Sequence, residues 1–80
     1  MTVFERLQDI ATQIFGVKPE NLTLEAKLVD DLGADSLDMS EMIIECETEF
    51  DLIISEEEAE KFKTIGDIIN YLKSEGIKDS

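Results

Sequence analysis

The sequence has no histidine and no tryptophan, and it has only one cysteine and one proline. Without histidine, the chain lacks the general base of a Ser/His/Asp triad and the commonest metal ligand. The lone cysteine, Cys46, cannot form an internal disulfide or a cysteine-based zinc cluster. These absences exclude triad chemistry and the usual zinc sites, and we expect no metal ion.

Long apolar runs are missing as well. No run exceeds four residues even when glycine is counted, whereas a transmembrane helix needs about 20 apolar residues. The N-terminus has no basic stretch followed by an apolar core, so we identify no signal peptide. We therefore expect a cytoplasmic protein that does not insert into membranes.

Basic residues are missing from one long stretch of the chain. From Leu28 to Glu60 there are 13 acids and no base, whereas residues 1–27 have a net charge of −1 and residues 61–80 have a net charge of +1. The total of −13 therefore falls on Leu28–Glu60, which we call the acidic segment. Such a segment repels nucleic-acid phosphates and favours partners with a basic surface.

The composition is otherwise that of a globular protein. The 80 residues are 42% hydrophobic and 34% charged, unlike the hydrophobic-poor composition of disordered chains. This length is close to the lower limit for one hydrophobic core. We therefore expect residues 1–80 to form a single small domain.

Helical signals dominate the chain. Thr2 followed by Glu5 is typical of a capping box, and apolar residues then recur at helical spacing until Gly16. This pattern predicts a first helix over Val3–Phe15. The stretch from Val17 to Asp35 follows neither helical nor strand periodicity, so we expect a long loop pinned across the core by its leucines.

A second helix is predicted to begin at Asp35 or Ser36. Apolar residues at helical spacing predict its buried face. That face comprises Met39, Met42, Ile43, Cys46 and Phe50. A second face mixes acids with two large apolar residues, Leu37 and Ile44, and we expect Ser40 to lie on this outward face.

Two further helices follow. Ser55 and Glu58 are spaced as a capping box for a short third helix, and Thr64 followed by Asp67 predicts the start of a fourth. No segment is predicted to form a strand. The sequence therefore predicts an all-α fold, a small four-helix bundle of three longer helices and one short helix with a long loop between the first two. We expect residues 77–80 to fray.

The string Leu32-Gly33-Ala34-Asp35-Ser36-Leu37-Asp38 places a serine hydroxyl at the exposed start of a helix. Free backbone N–H groups and the positive end of the helix dipole favour an anion there. The simplest interpretation of Ser36 is a helix cap, the commonest role of serine at that position. From the residues alone, this interpretation remains open beside a functional one.

The same string resembles the prosthetic-group site of the acyl carrier proteins. Three later segments also resemble that family: Glu47–Asp51 is similar to the acidic end of its second helix, Ser55–Lys61 to its third helix and Thr64–Leu72 to its fourth. The resemblance is collinear and begins near Val3. It implies a four-helix bundle that acts as a carrier and a substrate of enzymes, not as a catalyst.

The resemblance also implies a prosthetic group and partners. In this family the serine of Asp-Ser-Leu is joined to 4′-phosphopantetheine, which a Mg²⁺-dependent phosphopantetheinyl transferase takes from coenzyme A. The thiol of that arm then holds acyl chains as thioesters. Carried over, Ser36 is the attachment residue of a carrier that serves the enzymes of fatty acid biosynthesis, and we expect a monomer.

Two sets of residues take further roles implied by the resemblance. The residues expected to dock onto basic patches of partner enzymes are Asp35, Leu37, Asp38, Glu41, Ile44, Glu47 and Glu56. The residues expected to line an acyl pocket within the core are Met39, Met42, Ile43, Cys46, Phe50, Ile54, Ala59, Phe62, Ile68, Ile69 and Leu72. Because Cys46 belongs to the buried face, we expect it to be a core residue and not the acyl thiol.

Three residues depart from the family pattern. Cys46 stands where a larger aliphatic residue is usual, so we expect it to leave extra volume in the pocket. Ser40 also replaces an aliphatic residue, and we expect it to weaken one apolar contact with partners. Thr48 replaces an acid, which removes one expected charge contact.

Three other functions compete with this one. A calcium loop centred on Gly33 fails, because Leu28, Leu32 and Met39 would stand at ligand positions. A carrier of polyketide, aminoacyl or peptidyl cargo remains open, as does an acidic interaction module without a prosthetic group. The strongly acidic second helix favours the fatty-acid type.

Overall fold

The computed structural model describes residues 1–79, and it contains the four predicted helices. These are α1 (Val3–Phe15), α2 (Ser36–Phe50), α3 (Glu56–Glu60) and α4 (Ile65–Ser74). Within the described residues no strand forms, and the only β-type pairing is an isolated antiparallel bridge between Lys27 and Thr64. The predicted all-α bundle of three longer helices and one short helix is confirmed. None of the helices described is long and apolar enough to cross a bilayer.

The capping box predicted for α1 is confirmed, and the predicted start of α4 at Thr64 has one as well. At α1, Thr2 Oγ1 accepts a hydrogen bond from Glu5 N at 3.0 Å, and Glu5 Oε1 accepts one from Thr2 N at 2.9 Å. Thr64 and Asp67 form the same reciprocal pair at the start of α4. Each pair satisfies two backbone N–H groups that have no partner inside the helix. The local sequence therefore determines where both helices begin.

Only half of the capping box predicted for α3 forms. Ser55 Oγ accepts a hydrogen bond from Glu58 N at 3.2 Å. The Glu58 carboxylate does not return to the cap and instead lies 3.5 Å from Lys61 Nζ. Three consecutive glutamates occupy the first turn of this short helix, where the positive end of the helix dipole favours them.

The hydrophobic core joins the helices to the loop between α1 and α2. Its largest fully buried side chains are Leu7, Leu22, Leu28, Met42, Ile65, Ile68 and Leu72. Leu22 and Leu28 come from the loop, so the expectation that its leucines pin it is confirmed at these two positions. Leu24 and Val29 are exposed instead. A single 3₁₀ turn at Pro19–Asn21, too short to show a period, was not predicted.

Backbone hydrogen bonds tie the same loop to the start of α4. Leu28 N donates to Lys63 O at 2.9 Å, and Gly66 N donates to Leu24 O at 2.8 Å. A Cβ atom at Gly66 would stand 3.0 Å from the same Leu24 oxygen. This close approach fixes the loop beside the residues that connect α3 to α4.

The residues after α4 do not fray as expected. Ile77 is half-buried against the core, and Asp79 Oδ1 accepts a hydrogen bond from Val3 N at 2.8 Å. The Asp79 carboxylate thus satisfies one of the free N–H groups at the start of α1. Ser80, which the same expectation covered, lies outside the described residues.

Candidate functional site

Asp35, and not Ser36, caps α2. The backbone of Asp35 is extended, and its Oδ1 accepts a hydrogen bond from Asp38 N at 2.8 Å. Asp38 Oδ2 in turn accepts one from Asp35 N at 3.3 Å. Ser36 is the first helical residue and is exposed, and its hydroxyl makes no hydrogen bond within residues 1–79. The interpretation of Ser36 as a helix cap is therefore wrong, and its Oγ is accessible for reaction.

The turn before α2 presents this serine. Gly33 has a φ of +72°, a left-handed conformation that favours glycine, and its N–H donates to Val29 O at 3.0 Å. Ala34 is then buried, and its N–H donates to Leu28 O at 2.9 Å. The chain is thus anchored in the core two residues before Ser36, which leaves the serine on a firmly held turn.

An open cleft of about 860 Å³ lies beside Ser36. Its walls come from the loop before α2, the first turns of α2, α3 and the residues between α3 and α4. Four residues of the predicted acyl pocket line it: Met39, Ile43, Ala59 and Phe62. These side chains give the cleft an apolar wall close to the exposed hydroxyl.

The other seven predicted pocket residues lie in the closed core and not on the wall of this cleft. They are Met42, Cys46, Phe50, Ile54, Ile68, Ile69 and Leu72, and each is buried. For the six of these residues that lie on α2 and α4, helical spacing predicted burial correctly. Hydrophobic periodicity alone cannot distinguish the residues that line the cleft from those that are buried in the closed core.

Ser40 also lines the cleft. Ser40 is exposed, as expected for a residue beside Leu37 and Ile44, and its position also borders the cleft. Ser36 and Ser40 are four residues apart in α2, a spacing that places two side chains on the same side of a helix. Ser40 is also four residues before Ile44, so it lies at the border between the cleft and the outer face of α2.

Most of the predicted recognition residues are on the surface. Leu37 is 70% exposed and Ile44 is 59% exposed, and Glu41 lies between them at helical spacing. Asp35 and Glu56 are exposed as well, and both also line the cleft. The outer face of α2 therefore presents two apolar side chains among acids.

Two of the acids expected to recognise partners form hydrogen bonds within the protein. Asp38 is half-buried, and its carboxylate accepts a hydrogen bond from the backbone N–H of the capping residue Asp35. Glu47 is also half-buried, and its Oε2 accepts a hydrogen bond from Ile54 N at 2.8 Å. Each of these carboxylates contributes to the fold as well as to the negative charge of the acidic segment.

The thiol of Cys46 is fully buried. Burial raises its pKa from the ordinary value near 9.0 to about 12, and Glu45 and Glu47 add to this shift because their charges disfavour a thiolate. A thiol is nucleophilic only as the thiolate. Cys46 is therefore a core residue, as the buried face of α2 predicted.

Comparison with known proteins defines the class. Residues 5–72 match the family model described as the phosphopantetheine attachment site. An acyl carrier protein of Bdellovibrio bacteriovorus is 45% identical over 76 residues, which are 95% of this chain and 97% of that protein. An acyl carrier protein of Clostridium acetobutylicum is 44% identical over 72 residues, which are 90% of this chain and 94% of that protein.

Solved structures agree with this class. A candidate acyl carrier protein from Mycobacterium tuberculosis superposes with a TM-score of 0.83 at 35% identity, covering 89% of this chain and 95% of that one. The acyl carrier protein of Enterococcus faecalis, described for its high thermal stability, gives a TM-score of 0.73 at 39% identity. That match covers 92% of this chain and 98% of the E. faecalis chain.

The fold and the match to the attachment-site model define a carrier with a phosphopantetheine arm. More specifically, the chain belongs to the acyl carrier protein family. Members are not enzymes; they carry acyl chains and work with partner enzymes that include the phosphopantetheinyl transferase. An acidic module without a prosthetic group is thereby set aside, because the prosthetic group of this family is 4′-phosphopantetheine.

Proposed function

We propose that Ser36 carries the 4′-phosphopantetheine arm and that this chain shuttles growing acyl chains between the enzymes of fatty acid biosynthesis. On this proposal residues 1–80 form a single acyl-carrier domain that works as a monomer in the cytoplasm. The observation that supports it most directly is the exposed Ser36 hydroxyl at the mouth of the cleft, with the helix cap supplied by Asp35.

The residues around Ser36 suit a covalent arm. Modification of a capping hydroxyl would cost helix stability, about 1 kcal/mol for a typical cap. Here Asp35 bears that role, so Ser36 Oγ can form a phosphodiester while the reciprocal bonds between Asp35 and Asp38 persist. When bound, the arm supplies a terminal thiol that holds acyl groups as thioesters. The chain has no histidine to activate Ser36, so the base must come from the transferase.

The cleft provides a route for the acyl chain into the bundle. Met39, Ile43, Ala59 and Phe62 offer apolar contacts next to the arm. A chain that enters there would reach the buried residues of α2 and α4 when the helices separate slightly. Burial of about six methylenes would yield roughly 5 kcal/mol at most, at about 0.8 kcal/mol for each. This free energy suffices to sequester the chain and is small enough for an enzyme tunnel to compete.

The outer face of α2 and the residues near Ser36 would form the docking surface. It comprises Asp35, Leu37, Asp38, Glu41, Ile44, Glu47 and Glu56. Acids on such a surface raise the encounter rate with basic partners and orient the arm without producing tight affinity. Weak and fast exchange suits a carrier that visits many enzymes.

The proposal is tested by the intact mass of the purified chain after incubation with coenzyme A, Mg²⁺ and a phosphopantetheinyl transferase. We expect one phosphopantetheine on the wild type and none on Ser36→Ala. Ser40→Ala is the matched control, since it removes a second serine from the same cleft one turn further along α2. An unmodified wild type, or modification of Ser36→Ala, would contradict the assignment of Ser36.

The cargo is tested separately on chain purified from its native host. The acyl groups are identified by the intact mass of the protein while they are still joined to the arm as thioesters. Saturated and 3-oxoacyl chains that differ by two-carbon steps would support fatty acid synthesis. Aminoacyl or peptidyl groups would contradict the fatty-acid part of the proposal and leave the carrier role intact.

A further inference from the structure

Two lysines line the same cleft as Ser36. Lys27 comes from the loop between α1 and α2, and Lys63 from the residues between α3 and α4. They flank the acidic segment on either side and, among residues 1–79, are the only basic residues that line this cleft. The other residues of charged type on its wall are acids: Asp30, Asp35, Glu56 and Glu60.

The backbone at both lysines is firmly held. Lys27 forms the antiparallel bridge with Thr64, and Leu28 N donates to Lys63 O at 2.9 Å. Two aspartates bind the amides of the lysines themselves. Asp31 Oδ2 accepts from Lys27 N at 2.8 Å, and Asp67 Oδ2 accepts from Lys63 N at 2.9 Å.

Both ammonium groups are left without an acid partner. Among residues 1–79, ion pairs are formed by Arg6 and Lys61, and neither Lys27 nor Lys63 takes part in one. The two lysines are also exposed. The chain has a net charge of −13, so its electrostatic potential is negative overall. Two unpaired cations that line one cleft are a local exception to this potential.

Such cations would stabilise an anion attached at Ser36. The arm would bring a phosphodiester charge to a cleft that four acids already line, and to the middle of the acidic segment. Repulsion from Asp35 and Glu56 would push the arm away from the protein. The positive end of α2, a helix of 15 residues, offsets part of this repulsion. The two lysines are the remaining groups on the cleft wall that can offset the rest.

We propose that Lys27 and Lys63 form an anion site that holds the loaded arm against the cleft. This inference rests on the proposed function of Ser36. The ligand is an oxyanion carried by the arm, and it has two possible sources. One is the phosphodiester at Ser36, which every modified chain would carry. The other is a carboxylate at the far end of a cargo, such as the free acid of a dicarboxylic half-thioester.

The experiment compares four forms of the full chain by NMR: the unmodified chain, the chain with the bare arm, and arms loaded with hexanoyl or adipoyl groups. The readout is the side-chain resonances of the lysines next to the ammonium group. Lys18 and Lys73 are the controls, since both are exposed and neither lines the cleft. We expect the Lys27 and Lys63 resonances to move more than those of the controls. The movement should vanish near 1 M salt, where charges are screened beyond about 3 Å.

The forms distinguish the two sources. Movement on addition of the bare arm identifies the phosphodiester, and movement with adipoyl but not hexanoyl identifies a cargo carboxylate. If the phosphodiester is the ligand, the ³¹P resonance of the arm should also shift in the double variant Lys27→Gln/Lys63→Gln and stay near its wild-type position in Lys27→Arg/Lys63→Arg. Lys18→Gln/Lys73→Gln should leave it in place.

Lys27 and Lys63 resonances that move no more than those of Lys18 and Lys73 in every form would overturn the anion site. The intact mass of each sample separates this failure from failure of the proposed function. A chain that accepts the arm but leaves both lysines unmoved refutes the anion site alone. A wild-type chain that accepts no arm refutes the assignment of Ser36.

Discussion

Glu47 Oε2 accepts a hydrogen bond from the backbone N–H of Ile54 at 2.8 Å, and this bond holds the loop between α2 and α3. Glu47 O also accepts from Leu52 N at 3.2 Å. With these two hydrogen bonds in place, Ile54 is buried and its neighbour Ile53 is 87% exposed. An acid expected to face partner enzymes therefore also shapes the turn that follows its own helix.

Replacement of Glu47 separates these two roles. Glu47→Ala leaves Ile54 N without its partner in a half-buried site, and we expect the free energy of unfolding to fall by about 1–3 kcal/mol. Glu47→Gln keeps an oxygen acceptor and removes the charge, so its loss should be clearly smaller. Urea unfolding measures both variants. Equal losses for Ala and Gln would show that the charge, and not the hydrogen bond, stabilises this loop.

Arg6 links α1 to the end of α2. Its Nε donates to Glu49 Oε2 at 2.9 Å, its Nη2 donates to Glu49 O at 2.9 Å, and its guanidinium carbon lies 4.5 Å from the centre of the Phe50 ring. Exposed ion pairs and cation–π contacts each contribute up to about 1 kcal/mol, so Arg6→Ala should lower the free energy of unfolding by about 1–2 kcal/mol. Lys18→Ala, at an exposed loop position, should change it by less than about 0.5 kcal/mol. Similar values for the two variants in urea unfolding would contradict the role of Arg6.

Asp51 ends α2 in a left-handed conformation with a φ of +53°. Glycine adopts this conformation without strain, asparagine tolerates it, and alanine pays a steric cost of about 1 kcal/mol. Among three neutral replacements we therefore expect the thermal midpoint to follow the order Asp51→Gly, Asp51→Asn, Asp51→Ala, from highest to lowest. Because all three remove the same charge, the comparison isolates the backbone. An alanine variant as stable as the glycine variant would be incompatible with this geometry.

The buried thiol of Cys46 predicts a loss of stability at high pH. Its pKa is raised to about 12 in the folded chain, whereas an unfolded cysteine titrates near 9.0. Between these values the unfolded chain loses a proton that the folded chain keeps. The stabilising contribution is therefore complete below about pH 9 and is lost as the pH rises, by about 1.4 kcal/mol for each unit.

Cys46→Ala provides the comparison for that pH dependence. The variant should be less stable than the wild type at pH 7, because a buried side chain is lost. The difference between the two should shrink between pH 9 and pH 11, as measured by urea unfolding. A difference that stays constant over this range would mean that the thiol titrates normally in the folded chain.

Salt should slow association with the transferase. Charges on the exposed face of α2 are screened beyond about 8 Å at physiological ionic strength and beyond about 3 Å at 1 M salt. Glu41→Gln should lower the association rate and weaken its dependence on salt. Glu20→Gln, an exposed acid outside the acidic segment, should do neither. Stopped-flow mixing at several salt concentrations measures the rate, and a rate independent of salt would refute electrostatic docking.

Local signals in the sequence predicted the helices well. Reciprocal caps at Thr2 and Thr64 locate the starts of α1 and α4, because these bonds join residues three apart. At α2 the sequence left two candidates for the cap. The structure selects Asp35, since the carboxylate oxygen reaches Asp38 N and frees Ser36. Residues 77–79 were expected to fray, and no local pattern signals that Asp79 reaches Val3.

By itself, the sequence determined the all-α architecture, the concentration of charge on Leu28–Glu60 and the motif around Ser36, because each depends on residues close together in the chain. Only the tertiary structure decided which apolar residues line the cleft and which close the core. It also decided that Lys27 and Lys63 share a wall of that cleft. These lysines lie on either side of the acidic segment, and the bridge at Thr64 joins them. Such contacts depend on how the helices pack against one another. Hydrophobic periodicity, which reports only local structure, does not reveal that packing.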